Sequence, residues 1–354
     1  MKAICERKSL CEALDKTRLC LSKTLPILSY IRVGPQDSCL FFTATNLEQT
    51  IRTKCKAEIE GEKKDFCIPG EKFFSIVKEL SSNRVELFLG KTLQVRSGRS
   101  KFSLAIGDVE EFPKVDIPKF KERIDLLGFI RRLKKVFFCT ARKDYSREVL
   151  MSILVGKYIV ATDGSRLACI PDKEWKEKDI IIPQNFVSIL EKIGENQEGM
   201  YTVDDNRFVV KFGDTICMTQ LTDGKFPDWK DIMPKKEDMD KVYILDKNAF
   251  ERAVRRVSLM SEKETRIVRL SFRDNRLFLS SFSAEGMGEE EVEVEGDKEL
   301  EIGFNAVYLL EGLKRVDGEK VVMTCEGPIH PVLFESQDNT EWKYLLMPVV
   351  LKEE

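Results

Sequence analysis

The run ATDGSRLACI, residues 161–170, places a serine directly after an Asp-Gly turn, with Asp163 and Arg166 beside it. These residue types pose the question of a serine hydrolase with Ser165 as nucleophile. Such a hydroxyl needs an oriented base, and the only histidine in the chain, His330, is held between Ile329 and Pro331. One proline-flanked histidine is a poor candidate for that work. A second chemistry is metal-assisted hydrolysis of nucleic acid by carboxylates, for which Asp163, Asp204 and Asp205 are the candidates. They fall in turns or on alternating faces, away from any histidine cluster. The ten cysteines include no Cys-x-x-Cys pair, and most sit in apolar runs such as VFFC and TICM. Buried free thiols are therefore expected, in preference to a zinc site or disulfide framework. No metal and no cofactor is expected.

The chain has 354 residues, too many for one ordinary core. At 42% hydrophobic and 33% charged residues it has the composition of a folded globular chain, which excludes general disorder. No apolar run reaches membrane-spanning length, and the start MKAICERKSL lacks an apolar leader, so a cytoplasmic protein with no membrane partner is expected.

The elements that would position these residues recur three times. Residues 1–20, 121–141 and 241–261 each open on a strand-like start and pass into a helical pattern. Leu126, Ile130, Leu133 and Phe137 share one stripe in the second, and Phe250, Val254 and Val257 share one in the third. A second echo joins FCIPGEKFFSIVKEL (66–80), IIIPQNFVSILEKI (180–193) and LEIGFNAVYLLEGL (300–313). Aligning Pro69, Pro183 and Gly303 gives offsets of 114 and 120 residues. Alternating segments such as RVELFLG, RFVVKFG and RIVRLSF read as strands. The chain is thus an α+β protein of three repeated domains, 1–120, 121–241 and 242–354, each with two helices and several antiparallel strands.

Charge is distributed unevenly over these copies. The six helical segments carry a net +7 and the chain as a whole −2, which leaves −9 for everything else. Arg131, Arg132, Lys134 and Lys135 lie opposite the apolar stripe of their helix, as do Arg252, Arg255 and Arg256 of theirs. EEEVEVE (289–295) instead alternates acid with valine, a strand with one acidic face. Basic helices suit a polyanion held through its phosphates, without sequence information and in a salt-sensitive way.

Six motifs, in one order from end to end, carry a resemblance: TLPILSYIRV (24–33), VRSGRSKFSLAIGDVEEFP (95–113), ATDGSRLA (161–168), LTDGKFPDW (221–229), EIGFN (301–305) and YLLMPVVL (344–351). Together they resemble the bacterial DNA polymerase III beta sliding-clamp family. The resemblance implies a non-catalytic processivity factor in which helices line the inside and sheets the outside of each domain. Two chains would close head-to-tail into a six-domain ring around double-stranded DNA. Short peptides would tether the DNA polymerase III alpha subunit, the clamp-loader complex, and other polymerases and repair factors.

The same resemblance implies roles for particular residues. Leu150, Thr162, Gly164, Ser165, Arg166, Leu167, Pro227, Ile232, Asn305, Tyr308, Met347, Pro348, Val349 and Val350 would form the peptide pocket, with Ser165 a contact and not a nucleophile. Three positions depart from the commoner pattern: Ser165 replaces a frequent histidine, and Asp231 and Val350 stand where basic residues are common. Lys23 and Arg147 would join the basic helices in facing DNA. At the dimer interface, RSKFSLAI (99–106) would be an edge strand exposing Phe102 and Leu104. RIVRLSF (266–272) would be the partner edge, beside Leu259 and Met260. The readings that compete with a clamp are a metal-dependent enzyme acting on nucleic acid and a scaffold protein that does not bind DNA.

Overall fold

The computed structural model describes residues 1–144, 147–194, 198–204, 206–235 and 237–351; Asp205, one of the candidate carboxylates, lies outside them. The first copy comprises β1 (Lys2–Glu6), α1 (Arg7–Thr17), β2 (Tyr30–Gln36), β3 (Cys39–Thr45), β4 (Gln49–Glu60), β5 (Phe66–Pro69), α2 (Gly70–Glu79), β6 (Arg84–Leu89), β7 (Thr92–Ser97) and β8 (Ser100–Ala105). The second repeats that order as β9 (Glu122–Asp125), α3 (Leu126–Phe137), β10 (Ser152–Val155), β11 (Tyr158–Thr162), β12 (Arg166–Pro171), β13 (Ile180–Pro183), α4 (Gln184–Ile193), β14 (Glu198–Asp204), β15 (Arg207–Phe212) and β16 (Thr215–Gln220). The third repeats it again as β17 (Lys241–Asp246), α5 (Lys247–Val257), β18 (Ile267–Arg273), β19 (Arg276–Ser283), β20 (Gly286–Glu293), β21 (Leu300–Asn305), α6 (Ala306–Leu313), β22 (Lys320–Cys325), β23 (Val332–Ser336) and β24 (Lys343–Leu346). One alignment from the sequence shifts: Asn305, and not Gly303, occupies the place of Pro69 and Pro183 immediately before its helix.

Local chemistry explains why these segments become helices. Asp246 caps α5 by accepting a hydrogen bond from Ala249 N at 2.6 Å. Phe250, Ala253, Val254 and Val257 then recur at helical spacing and are buried. Arg255 and Arg256 in the last turn complement the helix dipole.

Pairing follows one pattern in every copy. One antiparallel sheet has the order β5-β2-β3-β4, β13-β10-β11-β12 or β21-β18-β19-β20. The other has β1-β6-β7-β8, β9-β14-β15-β16 or β17-β22-β23-β24. Sheets also join between copies. The last strand of the second copy, β16, pairs with β4 of the first, and β24 of the third pairs with β12 of the second.

These joins divide the chain into two compact units, Met1–Ile130 with Asn185–Leu221, and Arg131–Gln184 with Thr222–Glu354. The first unit holds the twelve-stranded sheet with α1 and α2, around side chains such as Phe42, Phe73 and Phe208. The second holds the eight- and four-stranded sheets with α5 and α6, around Trp342, Tyr243, Tyr344 and Phe304.

Two expectations about edges are corrected. β18 is interior, because β19 and β21 flank it; the unpaired edge of that sheet on the β19 side is β20. β8 is an edge strand as expected, with Phe102 40% exposed, but Leu104 on the same face is buried. Leu104 lies opposite Leu93, deeper in the core, whereas Phe102 sits nearer the hairpin end.

Eight of the ten cysteines are buried and Cys11 and Cys39 half-buried, all as free thiols. Burial pushes Cys20 and Cys169 up to about 12 and Cys67 and Cys325 up to about 11. Thiols held that far from ionisation are not nucleophiles at neutral pH. No helix among the described residues is long and apolar enough to cross a membrane.

Candidate functional site

The Ser165 turn is built by its own side chains. Asp163 Oδ1 accepts hydrogen bonds from Ser165 N at 2.9 Å and Arg166 N at 3.1 Å, and Thr162 Oγ1 donates to Arg166 O at 2.7 Å. Gly164 sits at φ +91°, a conformation that strains any side chain. Gly164 and Ser165 are thereby presented at the surface. His330 is placed 3.7 Å from Glu326, while the Ser165 turn is bonded to Asp163 and Met347. Asp163 is also spent on Arg166, and Asp204 on Arg207 at 2.5 Å. Among the described residues no group of three His, Cys, Asp or Glu side chains could hold a metal ion.

Beyond β24 the chain crosses this turn. Met347 N donates to Ser165 O at 2.9 Å, and Val349 N donates to Gly303 O at 2.8 Å. Gly303 permits the crossing, because a Cβ there would stand 2.6 Å from Leu351 Cδ2 and 2.9 Å from Val349 O. Beneath lies an apolar cluster that includes Leu167, Phe226 and Leu345, with Val149, Trp229 and Met233 packed on it. The surface above carries exposed Pro227, Ile232, Met347 and Val350, with Pro348 and Val349 half-buried. Val350 is 74% exposed, and Asp231 adds a negative charge to the rim.

The structure redistributes roles among the expected pocket residues. Leu150, Thr162 and Leu167 lie below the surface as its supports. Arg166, among the expected pocket residues, is a buried strut. It pairs with Asp163 at 2.9 Å and Glu311 at 2.5 Å, and its guanidinium lies 4.0 Å from the centre of the Tyr308 ring. Strand β12 faces inward here, with Arg166 opposite Leu346. Asn305, half-buried, is held by backbone groups. Its Oδ1 caps α6 by accepting from Val307 N and Tyr308 N, and its Nδ2 donates to Thr265 O. Gly312 lets the Tyr344 ring close on α6, since a Cβ would meet Tyr344 Cε1 at 2.2 Å; Tyr344 then donates to Tyr308 O at 2.9 Å.

Sequence reading passed over Glu311 and Leu351. A lone acid in the apolar helix AVYLLEGL was the available signal for Glu311. Replacing Arg166 with Met removes the buried cation between Asp163 and Glu311, leaving Glu311 only the exposed Arg142 at 3.4 Å. Breaking such a network costs about 3–5 kcal/mol. The expected result is a marked fall in the denaturation midpoint of the variant; a loss below about 1 kcal/mol would deny the strut.

The basic helices are also sorted by the fold. Arg132 and Lys135 are half-buried and paired: Arg132 with Asp172 at 3.4 Å and Glu174 at 3.2 Å, and Lys135 with Asp317 at 2.5 Å. Arg131 and Lys134, one helical step round, are exposed, as are Arg252, Arg255 and Arg256. Arg255 pairs with Glu251 at 2.6 Å and Arg256 with Glu290 at 2.5 Å. Lys23 is exposed, and Arg147, also exposed, pairs with Asp144 at 2.9 Å. Leu259 is 80% exposed, and Met260 packs against Gly286 and Gly288 of β20.

Comparison with known proteins matches three family models in sequence: the DNA polymerase III beta subunit N-terminal domain over residues 1–116, its central domain over 128–228 and its C-terminal domain over 230–350. The beta sliding clamp of Caulobacter vibrioides strain NA1000 / CB15N is 30% identical, with 99% of this chain and 100% of the relative covered. That of Haemophilus influenzae is 28% identical, covering 92% and 93%. Among solved structures, the DNA polymerase III subunit beta from Pseudomonas aeruginosa matches with TM-score 0.93 at 26% identity, over 99% of this chain and 100% of that one. The DNA polymerase sliding clamp from Caulobacter crescentus matches with TM-score 0.93 at 28% identity, over the same shares.

Proposed function

The chain belongs to the DNA polymerase III beta subunit family, the beta sliding clamps, as a non-catalytic processivity factor of DNA replication, and from that premise we propose how it closes, slides and docks. Three clamp domains, residues 1–120, 121–241 and 242–354, make half of a ring. One observation carries the closure. Each join inside the chain pairs the last strand of one copy with the fourth strand of the copy preceding it: β16 with β4, and β24 with β12. That rule leaves β8 at one end and β20 at the other without partners. Two chains related by a two-fold axis satisfy both edges at once and remove the hazard of open ones.

Duplex DNA passes through the ring, held through its phosphates by exposed cations such as Arg131, Lys134, Arg252 and Lys23. The surface at Ser165 and the C-terminal segment takes short peptides bearing a leucine and an aromatic residue. Its clients are the DNA polymerase III alpha subunit, the clamp-loader complex, and other polymerases and repair factors, in the cytoplasm. The metal-dependent enzyme gains no support, since Asp163 and Asp204 are engaged in ion pairs. Loaded protein is expected to stay on closed circular DNA and to leave within minutes of linearisation, read by gel filtration. Equal retention on both forms would mean direct binding without a ring.

A further inference from the structure

We propose that the first copy carries an oxyanion site that the other two copies lack, in which Arg32, Thr43 and Arg52 hold a phosphate group against one face of β2, β3 and β4. The site lies within one chain and does not depend on the ring.

The three residues form a row across adjacent strands. Arg32 of β2 faces Thr43 of β3, and Thr43 faces Arg52 of β4, so all three share one face of the sheet. Neighbouring strands lie about 4.8 Å apart, which puts the two arginine backbones about 10 Å apart with the hydroxyl between them. The row lines a cavity of about 140 Å³, with Phe112 and Val115 of the segment after β8 as further walls. Pockets for drug-sized molecules begin at about 300 Å³, so this one suits a small ion. Its charges do not balance. Arg32 Nε and Nη2 both donate to Asp65 Oδ2, at 2.9 and 2.7 Å, and Asp65 is the only carboxylate in the lining. Lys54, next along that face of β4, pairs with Asp214 at 3.0 Å. The Arg52 guanidinium lies 4.5 Å from the centre of the Phe41 ring. Among the described residues it makes no ion pair and no hydrogen bond, and the Thr43 hydroxyl makes no hydrogen bond either. Stacking uses the flat face of a guanidinium and leaves the N–H donors around its edge unspent. Burial first, then repulsion from Arg32, lower the Arg52 pKa from its ordinary value, and the attraction of Asp65 does not offset them.

The threefold repeat supplies an internal control. Tyr30 faces Pro69, Ser152 faces Pro183 and Ile267 faces Asn305, which aligns Arg32 with Leu154 and Arg269. Followed across the strands, the row reads Leu154, Val160 and Cys169 in the second copy. In the third it reads Arg269, Ser280 and Glu289. The second copy buries its row in an apolar cluster with Phe226, whose Phe-Pro pair recurs in the first as Phe112 and Pro113. The third ends its row on a carboxylate of its own. Only the first sets two guanidiniums beside that phenylalanine, a costly exchange for apolar packing unless an anion completes it. A phosphate group matches the donors, because it offers several acceptor oxygens to two forked cations and a hydroxyl.

Titration calorimetry of the full chain with inorganic phosphate, at constant ionic strength in chloride, reads the site directly. One phosphate per chain is expected, with acetate binding at least about tenfold more weakly because it has fewer acceptor oxygens. Arg52→Met is expected to weaken phosphate binding by more than about 100-fold, since a charge and its hydrogen bonds are lost together. That variant should fold, because the second copy carries Cys169 at the same place. Arg52→Lys keeps the charge and loses the fork, and should bind about tenfold more weakly than the parent. Thr43→Val loses one hydrogen bond and should cost about fivefold. Lys91→Met removes an exposed charge from the turn between β6 and β7 and should bind as the parent does. Parental affinity in Arg52→Met would put the phosphate on other cations and overturn the site. A parent that takes up no phosphate above the chloride background overturns it equally.

Discussion

Lysines at Leu259 and Met260 convert the dimer to monomers, seen as a fall in light-scattering mass to the 40.8 kDa of one chain. Leu259, two residues past the end of α5, is 80% exposed, with Met260 beside it. Covering one leucine is worth about 1.5–3 kcal/mol. A closed ring has two such joints, so Leu259 alone weakens the dimer by about 3–6 kcal/mol, roughly 100- to 10,000-fold in Kd. Lysine adds the cost of desolvating a charge. Loss of retention on circular DNA should accompany loss of the dimer. An unchanged mass would remove both residues from the joint.

Truncation after Leu346 should abolish peptide binding and leave the ring closed. The cut spares β24, whose Leu345 and Leu346 are buried and paired with β12, so the core beneath survives. It removes Met347 and Val350, the two exposed apolar side chains of the tail, and the strap that Gly303 seats. A leucine and a phenylalanine from a peptide gain about 1.5–3 kcal/mol each before ordering costs, consistent with micromolar affinity. Losing half of that surface is expected to weaken binding by more than about 100-fold, beyond calorimetric detection, with the dimer mass unchanged. Wild-type affinity in the truncated protein would sink the pocket assignment.

Much of this protein is legible in one dimension. The threefold order of elements follows from local periodicity: Phe250, Val254 and Val257 make a helix stripe whatever lies elsewhere in the chain. The Asp-Gly turn at Ser165 is local too, closed by hydrogen bonds between residues at most four apart.

What the sequence by itself determined, then, is the set of modules, their order, and the net positive charge of the helices. Tertiary structure alone decided which module meets which. β18 reads as a plausible edge until β21, some thirty residues on, pairs with it, and β20 with its glycines becomes the free strand. Arg131 and Arg132 are neighbours on one polar face, yet Asp172 and Glu174, from beyond β12, claim only the second. Arg166 looks like a surface arginine until Glu311 of α6, 145 residues away, is folded onto it. Burial and pairing depend on partners remote in sequence, and a charge or an edge shows no local sign of whether its partner will arrive.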